Sequence, residues 1–308
     1  MNTTNKVPAS IGETCMHQHK NLEESSSRRI GWAFFLNVGF TIIEFIGGWL
    51  TNSTAIMADA VHDLGDSLSI GLSWLLNKLS IKRANDSFTY GYQRLSLLGA
   101  LINSIVLIAG SIWVLGEAVP RLSDPPMPNA EGMVGLAIFG VLVNGYAAYK
   151  LSQGKSLNER ILNWHLLEDV LGWFAVLIVA IVLMFADWPI LDPILSIGFT
   201  LFILINVAKN LIVTIRIFLQ AAPDKALIES IVGELTSLKG VSKIHHIHLW
   251  SLDGESHVLT AHLVLTEVVE PLTQMSIKKN ISERLVKYEL AHTTIELEYP
   301  QETCRDND

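Results

Sequence analysis

The stretch Ala58-Asp-Ala-Val-His-Asp-Leu-Gly-Asp66 places three carboxylates and one imidazole in the middle of an apolar segment. A second stretch, His165-Leu-Leu-Glu-Asp169, opens another apolar segment. In each, a histidine precedes an aspartate by four residues, so the two side chains lie on one helix face, one turn apart. An aspartate at the centre of a bilayer costs about 2.5–3.5 kcal/mol and therefore needs a partner. We expect the two His-Asp pairs to be partners of each other.

The apolar residues of this chain are gathered in long runs. Half of the 308 residues are hydrophobic, which is too many for a soluble domain of this size. A helix needs roughly 20 residues to cross the hydrocarbon core. Six runs approach or exceed that length: residues 30–50, 55–77, 95–119, 132–149, 161–186 and 190–211. The pattern predicts an α-helical membrane protein with a six-transmembrane-helix bundle.

Basic residues are concentrated in alternate loops. They lie before the first run, between runs two and three, between runs four and five, and after the sixth, whereas the opposite loops hold only Arg121. The positive-inside rule therefore places both termini in the cytoplasm. Residues 1–29 are polar and contain no apolar stretch, so we expect no cleavable signal peptide.

Three regions are expected along the chain. Residues 1–29 look like a disordered tail, with Cys15, His17 and His19 as a short candidate for metal capture. Residues 30–215 form the transmembrane domain, and residues 216–308 form a cytoplasmic domain. Residues 221–308 carry 8 Lys/Arg against 14 Asp/Glu, a balance that suits cations as partners and argues against nucleic acid.

The cytoplasmic region has the pattern of a small α+β domain. We predict a helix at 223–238, two strands at 243–252 and 257–266, a second helix at 272–290 and a last strand at 293–299. Asp253-Gly254 separates the first two strands and is a hairpin signal. This order predicts a ferredoxin-like fold with the helices on one face of the sheet.

The two His-Asp pairs together have the composition of a metal site. Two imidazoles and two carboxylates form a four-ligand shell that tetrahedral Zn2+ accepts. We predict that the metal ligands are His62, Asp66, His165 and Asp169. The neighbouring carboxylates are candidates for proton relay or for hydrogen bonds to the ligands: Asp59, Asp63 and Glu168. Interhelical hydrogen bonds that only hold the bundle together are the alternative, but two pairs with identical spacing favour a metal.

Charge balance makes the same site suitable for exchange. Two neutral histidines, two carboxylates and one Zn2+ sum to zero, and so do two imidazoliums and two carboxylates. Histidine titrates at a pKa of ~6.5, and metal binding displaces protons, so metal and protons can replace each other at low cost. The ligand set leaves Zn2+, Cd2+, Co2+, Ni2+ and Fe2+ open. Glu44, Asn103 and Glu117 have no paired ligand at helical spacing, and we expect them to brace helices.

These residues closely resemble the cation diffusion facilitator family, the proton-coupled zinc exporters. Besides the two His-Asp stretches, the matching segments are Tyr90-Gly-Tyr-Gln-Arg94, Asp192-Pro193, Val241-Ser-Lys-Ile-His-His-Ile-His-Leu-Trp250 and His292-Thr-Thr-Ile-Glu-Leu-Glu298. The resemblance covers nearly the whole chain from about residue 28. It implies a homodimer, alternating access around a site between the second and fifth helices, and a cytoplasmic domain that binds metal and pairs across the dimer. The loop between runs four and five is short and has no histidine, which looks bacterial, so the expected location is a bacterial inner membrane.

Six of the ten histidines lie in the cytoplasmic region. Strand alternation puts His246 and His248 on one face and His245 on the other. The resemblance favours His245, His262 and His292 as ligands, followed by His248. Together with Glu298 they make a candidate regulatory Zn2+ site, to which Cys304 can add a thiolate.

The leading prediction is a secondary transporter that exports Zn2+, and also Cd2+ and other divalent metals, from the cytoplasm in exchange for protons. The alternatives are a membrane-anchored divalent-metal sensor and an integral membrane metalloenzyme. The chain has no His-Glu-x-x-His motif, no box of several histidines and no nucleophile elbow, so we expect that it is not an enzyme.

Overall fold

The computed structural model describes residues 34–80, 84–152 and 157–304. The first six elements are long helices, α1 to α6, with one 3-10 turn at Pro120–Leu122 after α3. They comprise α1 Phe34–Thr51, α2 Thr54–Ser80, α3 Leu95–Ala118, α4 Ala130–Ser152, α5 Leu157–Phe185 and α6 Leu191–Phe218. The 1–29 tail and its Cys/His cluster lie outside the described residues.

The length and composition of five of these helices, α1, α3, α4, α5 and α6, are sufficient to cross a membrane. The chain is therefore a multi-pass membrane protein. The remaining helix, α2, has 27 residues, about 40 Å at 1.5 Å per residue, but its carboxylates make it less apolar. A sixth span thus stays a prediction. The last helix, α6, continues past residue 215, where the sequence placed the end of the transmembrane domain.

Most of the helical residues fall into one compact unit, which combines residues up to Gly71 with Asn103–Val207, whereas the ends of α2, α3 and α6 beyond these bounds belong to a second unit. Glycines allow close helix approach inside the first unit, as is common in membrane bundles. A Cβ atom at Gly65 of α2 would lie 2.3 Å from Leu107 of α3, and one at Gly140 of α4 would lie 2.3 Å from the indole of Trp173 of α5. Trp173 is fully buried and makes an edge-to-face contact with Phe40 of α1.

The second unit combines Leu72–Ile102 with Ala208–Asp308. Its C-terminal part consists of α7 Lys225–Thr236, β1 Val241–Ser251, β2 His257–Leu265, α8 Pro271–Leu285, a 3-10 turn Val286–Tyr288 and β3 His292–Glu298. Asp224 caps α7 by accepting a hydrogen bond from the Ala226 backbone N–H, and Gly254 adopts a left-handed φ of +107° in the hairpin turn. The helix-strand-strand-helix-strand order that the sequence predicts is confirmed.

The sheet has the order β1-β2-β3, with an antiparallel β1–β2 pair and a parallel β2–β3 pair. A parallel pair needs a crossover, and α8 supplies it. Residues of α7 and α8, such as Ile231, Leu235 and Ile281, share one hydrophobic cluster with Leu259 and Leu263 of β2. This is a small α+β domain; the more specific prediction of a ferredoxin-like fold stays a prediction.

Candidate metal centres

The two His-Asp pairs of α2 and α5 converge in the helical unit. One ligand atom from each of His62, Asp66, His165 and Asp169 can be chosen so that all four lie within 4.8 Å of one another. Asp66 is the central member, because its Oδ2 lies 2.8 Å from Nε2 of His165 and 3.1 Å from Nδ1 of His62. Asp169 lies farther from both, at 3.9 Å from His62 and 3.8 Å from His165.

These distances suit a single metal ion. Zinc bonds to histidine nitrogen and carboxylate oxygen are about 2.0–2.2 Å long, so the ligand atoms of a tetrahedral site are roughly 3.4 Å apart. The four contacts from 2.8 to 3.9 Å bracket this value. The side chain of Asp169 is only 3% exposed, whereas those of His62, Asp66 and His165 are 23–27% exposed. Three of the four side chains are therefore partly accessible, whereas Asp169 is enclosed.

The three neighbouring carboxylates predicted as relay or supporting groups lie in different environments. Asp63 is buried and its Oδ1 lies 3.4 Å from Nδ1 of His62. Asp59 is 8% exposed, and its Oδ2 accepts no hydrogen bond from the described residues. Glu168 is exposed on the outer side of α5, so a supporting role for it rests on the sequence alone.

The N-terminus of α2 is held by a carboxylate from another helix. Asp192, at the start of α6 and 2% exposed, accepts hydrogen bonds from Ser53 Oγ at 2.5 Å, Thr54 N at 2.7 Å and Thr54 Oγ1 at 2.8 Å. A negative charge at this position also complements the helix dipole. Ser196, one turn along α6, donates to the Thr54 carbonyl at 2.9 Å. These bonds fix the position of the first turn of α2, the helix that carries the His62–Asp66 pair.

A second polar contact holds α2 beside the site. Asn37 of α1 donates its side-chain N–H groups to the Asp63 carbonyl at 3.3 Å and to Ser67 Oγ at 3.1 Å. No sequence pattern assigned a role to Asn37 or Ser196, and Asp192 was used only as part of a motif that matches the family. Long-range hydrogen bonds have no local sequence period, so no spacing signal predicts them.

The C-terminal α+β domain holds a second group with the composition of a metal site: His245, His262, Glu298 and Cys304. Glu298 accepts a hydrogen bond from each imidazole, at 2.8 Å from Nε2 of His245 and 2.7 Å from Nδ1 of His262. The Cys304 Sγ lies 3.4 Å from Nδ1 of His262. Two imidazoles, a carboxylate and a thiol are ligands that zinc accepts.

Strand geometry explains why these side chains meet. His245 and His262 are directly opposite each other in the β1–β2 pair, and Glu298 lies on the neighbouring strand β3. A β-bulge between His245 and His248 places His246 at a left-handed φ of 49°. The bulge interrupts the alternation that the sequence predicted, because both His245 and His246 make ring contacts with His262.

The electrostatics of Glu298 fit a ligand that is ready to bind. Burial by itself raises the pKa of this carboxyl, but the hydrogen bonds from His245 and His262 outweigh it and hold the pKa below its usual range. Glu298 is therefore a carboxylate at neutral pH, the form that coordinates a metal.

Two predicted ligands of this domain lie outside the group. His248 is exposed and its ring contacts that of His246, with centroids 4.8 Å apart. His292, at the first residue of β3, is exposed and makes an edge-to-face contact with Tyr90 at 5.2 Å. Cys304, which the sequence treated as an optional ligand, belongs to the group.

The architecture described so far is that of an integral membrane protein with one metal-site candidate in its membrane domain and another in its cytoplasmic domain. Comparison with known proteins identifies the family to which it belongs. Residues 32–219 match the cation efflux transmembrane domain, and residues 223–299 match the cytoplasmic domain of cation efflux proteins. The chain belongs to the cation diffusion facilitator family, whose members are metal transporters and not enzymes.

Similar proteins cover nearly the whole chain. A cadmium, cobalt and zinc/H(+)-K(+) antiporter of Bacillus subtilis is 31% identical over 287 residues, 91% of each chain. The zinc transporter ZitB of Pectobacterium atrosepticum is 32% identical, covering 94% of this chain and 91% of its own length. The metal cation efflux system protein CzcD of Cupriavidus metallidurans is 28% identical over 94% of this chain and 90% of its own. The match to the family's cytoplasmic domain also supports a homodimer.

Proposed function

We propose that this protein exports Zn2+ from the cytoplasm in exchange for protons, with Cd2+ and other divalent transition metals as further substrates. The observation that carries the proposal is the convergence of two imidazoles and two carboxylates from α2 and α5 within 4.8 Å. The names of the relatives, which include zinc, cadmium and cobalt transport and an H(+)-K(+) antiport, support the choice of ions.

The proposed exchange follows from the contacts of the site. Asp66 touches both His62 and His165, so protonated histidines can hold α2 against α5 when no metal is present. A metal bound by neutral histidines and the two aspartates replaces these ion pairs without changing the net charge. Because the group is partly exposed, protons and metal can compete for the same atoms.

The proposed setting is a bacterial inner membrane with both termini in the cytoplasm, as the distribution of basic residues favours. An inward proton gradient would then drive the metal outward. The protein would act as a homodimer with its acidic domain in the cytoplasm, where it meets the metal before transport.

The test is transport by the purified full-length protein in proteoliposomes. Zn2+ and proton movements are followed together under an imposed pH gradient, for the wild type, Asp66→Ala and His165→Ala. Exposed Asp187 lies beyond the end of α5, and Asp187→Ala serves as the matched control. We expect coupled and opposite fluxes in the wild type and the control, and neither flux in the site variants. Zn2+ binding without any flux would contradict the proposal.

We further propose that His245, His262, Glu298 and Cys304 bind a regulatory Zn2+ ion. Three of these ligands were proposed from the sequence, and the arrangement of Glu298 between two imidazoles supports them. Since the group joins three strands and the segment after β3, a metal there would tie the C-terminal segment to the sheet.

This second site is tested by counting metal. Equilibrium dialysis of the full-length protein against Zn2+ should show that Glu298→Gln and Cys304→Ser each lose one bound ion per protomer, while the Glu267→Gln control keeps it. Glu267 is exposed in the β2–α8 loop. Unchanged zinc content in both variants would exclude the site. A membrane-anchored metal sensor is the second candidate function, favoured by this cytoplasmic group, and it predicts binding here without transport.

A further inference from the structure

A group of buried carboxyls lies beside the four proposed ligands and is not used by them. Glu44 of α1 is fully buried, Asp63 of α2 is 1% exposed and Asp59 of α2 is 8% exposed. Neither carboxyl oxygen of Glu44 accepts a hydrogen bond from the described residues, and Oδ2 of Asp59 and Oδ2 of Asp63 are also unpartnered. An unpaired ionised carboxylate is costly in a membrane, so these carboxyls are stable there only when a proton or a nearby positive charge neutralises them.

The charged groups that act most strongly on Glu44 are acidic. Its carboxyl has no hydrogen-bond partner among the described residues, and the charges that act on it are those of Asp59 and Asp63 on α2 and of Asp169 on α5. Two neighbouring carboxylates repel each other strongly in a medium of low dielectric constant. A hydrogen bond between them forms only when one of them carries a proton, as in carboxyl dyads that share one.

We infer that Glu44 binds a proton that is released when metal binds and is taken up again when metal leaves. The inference rests on the proposed metal–proton exchange and adds to it a proton-binding residue that is not a metal ligand. A dication held between α2 and α5 adds positive charge near Glu44 and favours its ionised form. When the metal leaves, the surrounding carboxylates favour the neutral acid, and the proton returns to the Glu44 carboxyl.

The competing explanation is mechanical. A protonated Glu44 can brace α1 against α2 through a permanent hydrogen bond to Asp63, which is the role the sequence predicted. Glutamine separates the two roles, because its amide keeps the shape and donates the same hydrogen bond but never gains or loses a proton at this position. Aspartate keeps the titrating group but shortens its reach.

The experiment uses full-length protein in proteoliposomes, with Zn2+ flux measured at matched pH gradients between about pH 6 and about pH 8, around the range in which histidine titrates. The variants are Glu44→Gln and Glu44→Asp. Glu131 is exposed at the start of α4, and Glu131→Gln is the matched control. Zn2+ affinity of each preparation is measured separately by titration calorimetry, which also counts the protons released per metal bound.

We expect Glu44→Gln to bind Zn2+ like the wild type but to release fewer protons per metal and to lose the acceleration of flux by the pH gradient. Glu44→Asp should keep proton release and shift the pH at half-maximal flux. Wild-type proton release and pH response in Glu44→Gln would overturn the inference. If Glu44→Gln does not fold, an unchanged pH profile in Glu44→Asp would overturn it instead. A wild type without coupled exchange would refute the proposed function, whatever the variants do.

Discussion

At the scale of single residues, Asp66 is the central side chain of the proposed membrane site. Its Oδ2 contacts both imidazoles, whereas Asp169 approaches them only to 3.8 and 3.9 Å. Glu168, next to Asp169 in sequence, is exposed. The helical period accounts for this difference, since adjacent residues are 100° apart around the axis. Two neighbouring acids of α5 therefore should respond very differently to removal of their charge.

We predict that Asp66→Asn weakens Zn2+ binding by more than about 100-fold, because even groups that only support ligands cost 10–100-fold in metal affinity. Glu168→Gln should stay within about threefold of the wild type, as expected for an exposed position without contacts to the site. Competition with a fluorescent zinc chelator on the detergent-purified protein measures both. Equal losses in the two variants would mean that Glu168 supports the site as the sequence suggested.

At the scale of elements, the positions of helices are set by a few buried polar contacts. Asp192 of α6 accepts hydrogen bonds from Ser53 and Thr54 at the first turn of α2, and Asn37 of α1 holds the same helix near Asp63. In the cytoplasmic domain, Glu234 of α7 pairs with Arg284 of α8 at 2.9 Å and with Lys287 of the following turn. Such contacts determine where the site residues face each other.

Removing the cap of α2 should loosen the helix that carries His62 and Asp66. Loss of an N-cap side chain costs about 0.5–2 kcal/mol, and Asp192→Ala also leaves buried donors without an acceptor. We expect the backbone amides of Thr54 and Ala55 to exchange about tenfold faster or more, since 1.4 kcal/mol corresponds to a factor of ten. Hydrogen exchange on the purified protein measures this, with Asp187→Ala as the control. Unchanged exchange would show that Ser53 alone caps the helix.

The bridge between α7 and α8 should make stability depend on pH in a defined direction. Hydrogen bonds from Lys287 and Arg284 hold the pKa of Glu234 below its usual value, and the hydrogen bond to Glu234 raises the pKa of Lys287. The contribution of Glu234 is therefore present above the ordinary glutamate pKa of about 4.3 and is lost as pH falls through the lowered value. The contribution of Lys287 to stability is present below about pH 10.4 and is lost as pH rises through the raised pKa of Lys287.

Glu234→Gln should therefore increase hydrogen exchange of α7 at neutral pH, and the difference from the wild type should disappear toward acid pH. Peptides that cover Lys225–Thr236, corrected for intrinsic rates, give the measurement. Glu229→Gln is the control, because Glu229 is an exposed residue of the same helix that faces Lys225 at 3.7 Å. If the difference in exchange between Glu234→Gln and the wild type grew as pH fell, the Glu234 bridge would not be its cause.

At the scale of the whole molecule, the chain combines apolar helices with a small acidic domain. The expected orientation, with both termini in the cytoplasm, follows from the placement of basic residues. It also places the two cysteines, Cys15 and Cys304, on the same side of the membrane. Their accessibility therefore reports the topology of the full chain.

We expect a membrane-impermeant maleimide to label neither cysteine in intact cells and to label both after permeabilisation in the presence of a metal chelator. The chelator removes any metal that the proposed second site holds on Cys304. Asp124→Cys, in the exposed loop after α3, supplies a positive control that should be labelled in intact cells. Labelling of the native cysteines in intact cells would invert the predicted orientation.

Local patterns in the sequence were enough to predict several features. The apolar runs predicted the long helices, the i,i+4 spacing predicted that each histidine shares a helix face with its aspartate, and alternation with Asp253-Gly254 predicted the β1–β2 hairpin. These features depend on periods of 3.6 and 2 residues that the backbone imposes over short distances. Family membership followed from the same stretches and was confirmed by the matches to both domains.

Only the tertiary structure decided which side chains of different elements meet. In the C-terminal domain, the bulge at His246 brings both His245 and His246 against His262, and Cys304 rather than His292 lies beside them. In the helical domain, Asp192 accepts hydrogen bonds at the start of α2, and Glu44 lies close to Asp63. Each of these contacts joins residues from separate helices or strands or depends on a local irregularity. Helix packing and strand register set such contacts, and neither has a signature in the spacing of residues along one chain segment.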